Sequence, residues 1–327
     1  MAIRTAAGRR SLAAAPLLAL LTGSLAFAAA PDDVAKLVAA RDPGALAAAE
    51  ALTRTDPRSA DAWVLLSRAQ LAAGRREAAL DSAERAVSLD AKNPRAQFAL
   101  GNAYGANITD AGMLAQMRMA PKLRDAFLKA VELDPDNLDA RQALVEFYLQ
   151  APGVVGGGLD KARAEAAEVA KRGAYEGHLA RASIAAAEDR DDEAIAESQA
   201  AWRLRPDDPE ARVRMGLAYQ RAKRWDDAFR HFETWTRETP TAARAWYQLG
   251  RTAVLSGQRL DAGAAAFRRY LDLPRAPGDP EPQHAYYRMG QAYAKTGKAA
   301  EARAAFEAAL KIDPKMKGPR EELAKLK

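Results

Sequence analysis

The sequence predicts an all-α protein, built as a solenoid of antiparallel helix pairs, and three observations carry this prediction. First, the 327-residue chain is rich in alanine, leucine, arginine and glutamate, which favour helices, and aromatic residues make up only 7%. Second, blocks of similar sequence recur about every 34 residues, and each block holds two amphipathic stretches. Third, the blocks close on prolines such as Pro240, Pro274 and Pro314, which end helices because the preceding residue avoids the helical conformation.

The first segment, residues 1–28, has the pattern of a cleavable signal peptide. Arg4, Arg9 and Arg10 precede a short apolar run, and Ala26-Phe27-Ala28 provides the small residues of a cleavage site. The run is too short to span a bilayer, so we expect no stable membrane insertion after cleavage. We predict cleavage after Ala28, with Ala30 as the alternative, and a periplasmic or secreted protein. The arginine pair also loosely resembles a twin-arginine signal, although a general secretion signal is the favoured interpretation.

Several functional classes are excluded or disfavoured by composition and motifs. The absence of cysteine excludes disulfides, thiolate metal sites and a cysteine nucleophile. Removal of residues 1–28 lowers the formal net charge from +6 to +3, so nothing indicates nucleic acid as a partner. The sequence has no nucleophile elbow, no zinc-protease motif and no phosphate loop. We therefore predict a protein that is not an enzyme and that holds no cofactor and no metal.

Beyond the signal, the repeats divide the chain into three parts. Residues 29–59 read as an N-terminal helical cap or a degenerate repeat. Residues 60–316 form the repeat array, with insertions near 105–122 and 152–158. Residues 317–327 read as a charged C-terminal capping helix, as solenoid ends require. Within the array, Gly216, Gly250 and Gly290 occupy the positions where paired helices must approach closely.

The block at 283–316 carries the fullest version of the repeated pattern. Its members are Tyr286, Met289, Gly290, Tyr293, Gly297, Ala302, Phe306, Ala309 and Pro314. This pattern resembles the tetratricopeptide repeat family, and the block at 209–242 is similar to it. The resemblance implies a right-handed superhelix and a non-enzymatic scaffold or adaptor. We expect an exported bacterial protein of the cell envelope that binds a segment of a partner in its concave groove.

The resemblance also places the binding residues on the first helix of each repeat, facing the groove. The back half of this face is basic and contains two tyrosines. We therefore expect a protein or peptide partner with an acidic or C-terminal segment. The alternative is a solvated face whose charges pair with acids on neighbouring helices. The predicted groove residues are Arg68, Arg95, Asn102, Gln142, Glu146, Arg214, Gln220, Arg221, Arg244, Tyr247, Gln248, Arg251, Tyr287, Arg288, Gln291 and Lys295.

A methionine cluster in the first insertion supports an alternative function. Met113, Met117 and Met119 could form a soft-metal site for Cu(I) in a periplasmic metal- or small-ligand-binding protein. The favoured interpretation is that they fill gaps on a short amphipathic helix lying over the solenoid. The sequence leaves the oligomeric state open.

Overall fold

The computed structural model describes residues 30–108, 111–276 and 278–326, so the predicted signal peptide lies outside the described residues. Within those ranges the chain forms seventeen α-helices and one short 3-10 helix, η1. They are α1 (Pro31–Ala39), α2 (Ala45–Thr55), α3 (Ala60–Ala72), α4 (Arg76–Leu89), α5 (Pro94–Ile108), α6 (Met113–Leu133), α7 (Leu138–Gln150), η1 (Gly153–Val155), α8 (Leu159–Arg172), α9 (Ala174–Ala187), α10 (Asp191–Leu204), α11 (Pro209–Arg221), α12 (Trp225–Glu238), α13 (Ala243–Ser256), α14 (Leu260–Asp272), α15 (Pro282–Lys295), α16 (Ala299–Ile312) and α17 (Lys317–Lys325).

Successive helices pack against one another in pairs along the chain, from α1 with α2 to α15 with α16. The first helices of neighbouring pairs also touch, as α3 does with α5, α7 with α9, and α13 with both α11 and α15. This arrangement confirms the predicted all-α solenoid. In the described part of the chain, no helix is both long and apolar enough to cross a membrane.

A glycine and a phenylalanine meet where the two helices of a pair cross. In the pair of α13 and α14, a Cβ at Gly250 would lie 2.8 Å from Phe267 Cε2 and Cζ. Gly290 meets Phe306 in the same way, and both rings are fully buried. The glycine therefore makes room for a large ring, and the ring fills the layer between the helices.

The two predicted insertions form neighbouring structures at one edge of the array. Residues 105–122 mostly lengthen two helices, since α5 continues to Ile108 and α6 begins at Met113. Residues 152–158 form η1 and a turn in which Gly156 and Gly158 have positive φ angles of 99° and 143°, a conformation that favours glycine. Arg124 of α6 connects the two segments, because its Nη1 donates a hydrogen bond of 3.1 Å to the carbonyl of Val155.

The loop between α14 and α15 lies beside the turn that follows α1. A Cβ at Gly278 would lie 3.1 Å from Arg244 Nη2 and 3.6 Å from Arg41 Nη1. Arg41 lies in the turn after the first helix, while Gly278 precedes the last complete pair. The array therefore curves until a residue near its start approaches a loop near its end.

Candidate partner-binding groove

The front half of the groove contains a cavity of about 280 Å³, which we call the groove cavity. First helices of four successive pairs contribute to its wall, namely α5, α7, α9 and α11. Its polar lining residues are Asn102, Asp139, Gln142, Glu146, Ser183 and Arg214. The structure thus brings together four residues that the sequence placed on the groove face: Asn102, Gln142, Glu146 and Arg214.

The groove cavity has polar groups with unused hydrogen-bonding capacity. Gln142 Nε2 is buried and has no hydrogen-bond partner in the described part of the chain. Glu146 accepts a hydrogen bond of 3.0 Å from Ser183 Oγ and a longer one of 3.4 Å from Gln150 Nε2. A carboxylate can accept more bonds than these two. The cavity therefore offers an acceptor to an incoming peptide, and an unsatisfied donor lies buried in its wall.

Two other predicted front-half residues, Arg68 and Arg95, lie outside the wall of the groove cavity. Both are exposed. Their guanidinium groups make no hydrogen bond or ion pair with any residue that the structure describes. They contribute positive charge to the surface of α3 and α5 without a fixed geometry.

Three arginines predicted for the back half are already paired with acids. Arg244 contacts Asp279 at 2.8 Å and Glu210 at 3.0 Å. Arg214 also contacts Glu210, with 3.2 Å between Nε and Oε1. Arg221 contacts Asp189 in the turn before α10 at 2.9 Å and Asp191 at the start of α10 at 3.3 Å. For these three positions the structure matches the alternative in which neighbouring acids neutralise the groove charges.

Arg251 and Arg288 are different, and we call them the arginine pair. Neither forms an ion pair with any carboxylate that the structure describes. Arg251 donates a hydrogen bond to Gln220 Oε1, and Arg288 Nη1 donates one of 3.0 Å to Gln291 Oε1. Burial lowers the pKa of Arg251, and the positive charge of Arg288 lowers it further. Two half-buried cations without a counter-ion are suited to bind an anion.

Tyr247 and Gln248 were expected on the groove surface, but both are buried, at 8% exposed each. The centroid of the Tyr247 ring lies 5.6 Å from that of the Phe267 ring and 5.2 Å from that of the Tyr270 ring. Burial raises the pKa of the Tyr247 phenol, while the nearby charges of Arg288 and Arg251 oppose this rise. The ring therefore fills the core beneath the arginine pair, because an aromatic side chain on α13 gains more by packing than by exposure.

Three further predicted residues hold the last helices together. Gln291 Nε2 donates a hydrogen bond of 3.0 Å to the hydroxyl of Tyr287. A Cβ at Gly318 of α17 would lie 2.7 Å from that same hydroxyl oxygen, so α17 packs directly over Tyr287. Lys295 Nζ donates a hydrogen bond of 3.0 Å to the carbonyl of Val254 near the end of α13. These side chains support the array around the arginine pair.

Asp139 and Ser183 line the groove cavity but were not predicted. Ser183 lies on α9, whose block matches the repeated pattern only weakly, at Ala182, Ala194, Ala201 and Pro206. Tyr175 and Gly177 of α9 do not occupy the positions that aromatic and glycine residues hold in the clearer blocks, so the groove face of that helix had no clear register. Asp139 lies in the first turn of α7, a position that indicates a favourable interaction with the helix dipole as readily as a binding role.

The methionines of the first insertion separate onto two surfaces. Met113 and Met117 line a cavity of about 810 Å³ between α5, α6, α7 and η1, which we call the apolar pocket. Met119 instead packs against the core formed by α5 to α9. In the described residues no group of three or more His, Cys, Asp or Glu side chains could hold a metal ion. Met119 thus has different surroundings from Met113 and Met117, which does not favour a Cu(I) site shared by all three.

Three family models match parts of the sequence, each described as a tetratricopeptide repeat, at residues 37–94, 185–252 and 283–316. No curated protein matches the sequence. Among solved structures, the APC/C hetero-tetramer Cut9–Hcn1 is similar at a TM-score of 0.54 and 14% identity, over 90% of this chain and 48% of that one. This chain thus spans about half the length of its match in that assembly.

Two bacterial structures are similar over almost their whole length. A tetratricopeptide repeat protein from Parabacteroides merdae has a TM-score of 0.51 and 15% identity, over 90% of this chain and 96% of that one. A thermophilic repeat protein from Thermus thermophilus has a TM-score of 0.51 and 22% identity, over 58% of this chain and 98% of that one. At these identities the similarity shows the fold. The matched models show that the chain contains tetratricopeptide repeats, near its start, in its middle and at its end.

Proposed function

We propose that this protein is an exported scaffold of the bacterial cell envelope, and that the back half of its groove holds a carboxylate of a partner protein. Proteins with these repeats are typically non-enzymatic scaffolds that bind proteins or peptides. The observation that carries the finer proposal is the arginine pair, Arg251 and Arg288, which has no carboxylate of its own among the described residues.

The chemistry of the arginine pair favours a carboxylate. A guanidinium group presents parallel N–H donors that match the two oxygens of a carboxylate. Partial burial strengthens this attraction, because the surrounding protein screens charge less than water does. A bound carboxylate would also relieve the repulsion between the two cations. Aspartate or glutamate side chains and a chain terminus share this chemistry, so the experiment must separate them.

The test compares three labelled acidic decapeptides by fluorescence anisotropy on the purified protein. The first has glutamate side chains and a free C-terminus, the second has an amidated C-terminus, and the third has glutamine in place of glutamate. We expect binding of the first peptide and its loss with one of the other two, which identifies the source of the carboxylate.

The matched protein variants decide whether the arginine pair is the site. Arg251→Gln with Arg288→Gln should weaken binding of the first peptide at least tenfold, because a hydrogen bond to a charged group contributes about 1.5–3 kcal/mol. Arg221→Gln is the control, because the Arg221 side chain already forms ion pairs with Asp189 and Asp191. Equal loss in the control and the double variant would contradict the proposal.

Export is proposed from residues 1–28 alone. The test is expression of the full chain in a Gram-negative host, followed by cell fractionation and N-terminal sequencing. We expect a periplasmic protein whose first residue is Ala29. A protein retained in the cytoplasm with its N-terminus intact would contradict this part of the proposal.

A further inference from the structure

We propose that the apolar pocket is a second docking site of the groove, and that it takes a partner segment in which large apolar side chains stand next to a lysine or arginine. The inference rests on the proposed function in one respect only, namely that the chain binds a polypeptide. It does not depend on the arginine pair, which lies on α13 and α15, whereas this pocket lies at α5, α6, α7 and η1.

Both insertions contribute to the pocket, together with residues of α6 and α7 that belong to the regular repeat. One wall is the first part of α6, where Met113, Met117, Ala120 and Leu123 recur at helical spacing. Phe147 of α7 and Val155 of η1 contribute to the remainder of the lining. Its volume of about 810 Å³ lies in the range of sites that enclose a ligand or several side chains. Methionine walls adapt readily to the shape of what they bind.

Hydrogen bonds hold the pocket in shape before any partner arrives. The carbonyl of Val155 accepts a hydrogen bond of 3.1 Å from Arg124 Nη1, which fixes η1 against α6. The amide of Gly158 donates a hydrogen bond of 2.8 Å to the carbonyl of Tyr148, and this bond fixes the end of the same segment against α7. A preformed pocket avoids part of the entropy cost of ordering a binding site.

The exposed surface around the pocket indicates a macromolecule. Eight large hydrophobic side chains are exposed among the described residues, and four of them lie in this region: Met113 at 76%, Leu114 at 77%, Met117 at 46% and Val154 at 79%. Leu114 is not part of the lining, so a small molecule seated in the pocket would leave it exposed. A contiguous apolar patch of this kind marks an interaction surface, and a polypeptide can cover both the pocket and its edge.

The charges at the junction with the groove cavity specify the flanking residue. Ala143 and Glu146 line both the pocket and the groove cavity, so one segment can run from the first into the second. Among the described residues no lysine or arginine lines the pocket, while Glu146 places a carboxylate at the junction and Asp139 places a second one on the wall of the groove cavity. Arg214, farther along, is paired with Glu210. A cationic side chain leaving the pocket is therefore complementary to this junction.

The test is selection of a random dodecapeptide library, displayed on phage, on the immobilised protein. We expect the selected peptides to contain at least two large apolar residues beside a lysine or arginine. Met117→Glu with Val154→Asp should reduce their recovery at least tenfold. Both side chains are exposed, so the fold tolerates the change. Leu204→Glu is the control, because Leu204 is equally exposed but distant in the array, and it should leave recovery unchanged.

A second variant separates the charge from the apolar contact. Glu146→Gln should keep the preference for apolar residues and lose the preference for a neighbouring cation. Undiminished recovery in the Met117 and Val154 variant would overturn the proposal. So would an apolar small molecule extracted from the purified wild-type protein, or a dimer seen in sedimentation that the same variant dissociates, since either would be the true occupant.

The outcome is independent of the test of the arginine pair. Arg251→Gln with Arg288→Gln should recover the same apolar and basic peptides as the wild type. If it does and the acidic peptides fail to bind, the carboxylate proposal is wrong and the apolar site stands. If the acidic peptides bind and no apolar motif is selected, the reverse holds.

Discussion

Arg141 on α7 forms an ion pair with Glu165 on α8, and both side chains are nearly shielded from solvent, at 8% and 15% exposed. Arg141 Nε also donates a hydrogen bond of 2.7 Å to the carbonyl of Pro135. The pair joins the two helices of one repeat. Loss of one partner leaves a buried charge without compensation.

Glu165→Ala should therefore lower the free energy of unfolding by about 3–5 kcal/mol, measured by urea denaturation followed by circular dichroism. Arg141→Met with Glu165→Met should recover most of this loss, because no buried charge then remains. The control is Lys36→Ala, which removes an ion pair to Asp33 that is largely exposed, at 78% and 62%. If Glu165→Ala lowers the free energy of unfolding no more than the control does, the ion pair is solvated in solution and the prediction is wrong.

Gly250→Ala should destabilise the pair of α13 and α14 by about 1–3 kcal/mol. The added Cβ would lie 2.8 Å from the ring of Phe267 and 2.9 Å from the carbonyl oxygen of Gly263, and neither the ring nor the backbone can move without disturbing the layer. Thermal unfolding measures the effect. Gly153→Ala is the control, since nothing lies within 4 Å of its Cβ position. An unchanged Tm for Gly250→Ala would contradict the close packing seen at this crossing.

Arg288→Met should stabilise the protein by about 0.5–1 kcal/mol at low salt, because it removes a cation that faces Arg251 without a counter-ion. The gain should shrink in high salt, where charges are screened. Differential scanning calorimetry at two salt concentrations tests both statements. Such a gain would mark the arginine pair as a site that sacrifices stability for binding. A loss of stability that is independent of salt would show that Arg288 acts through packing instead.

The stability of the protein should fall as the pH is lowered below about 6.5, and His231 should account for part of the fall. Its ring packs edge-on against Trp202, Tyr219 and Phe232, and Nε2 donates a hydrogen bond of 2.8 Å to the carbonyl of Arg212. Burial lowers the pKa of His231 from its ordinary value of 6.5, with a smaller lowering from the charge of Arg212. The hydrogen bond to the carbonyl and the charge of Glu238 oppose this without reversing it.

The sign follows from which state binds the proton. Below pH 6.5 His231 binds a proton in the unfolded chain, whereas in the folded chain it binds one only at a lower pH. The free energy of unfolding therefore decreases as the pH falls. His231→Gln keeps a donor for the carbonyl and should flatten the decrease in Tm between pH 8 and pH 5. His284→Gln, at an exposed histidine, is the matched control. Identical pH profiles for all three proteins would rule out His231 as a contributor.

The fold could be predicted because the residues that pack the two helices of a repeat both lie within that repeat. Gly290 and Phe306, sixteen positions apart in the sequence, become direct neighbours in the structure, and the same spacing recurs at Gly216 and Phe232. Contacts of this kind lie within one helix pair, so a periodic pattern records them. The same pattern located the first helices of the pairs.

The state of each groove residue could not be predicted, because it depends on partners far away in the sequence. Arg244 and Arg251 are both arginines on α13, yet Arg244 meets Asp279 in a loop and Glu210 on another helix, whereas Arg251 meets no acid that the structure describes. The repeated pattern carries no information about that loop. Tyr247 likewise looked like a groove contact, but its depth depends on the rings of Phe267 and Tyr270.

The approach of Arg41 to Gly278 has a consequence for how a partner gains access. A curved array whose ends stay apart can slide sideways onto the middle of a long chain. An array whose first turn lies against the loop between α14 and α15 closes part of the way into its central space, whereas a segment with a free end can still thread into that space directly. An internal stretch of a folded partner enters only after the contact at Gly278 has parted. Entry of an internal stretch is therefore slower than entry of a free chain end. This difference gives a kinetic preference for free chain ends that is independent of affinity.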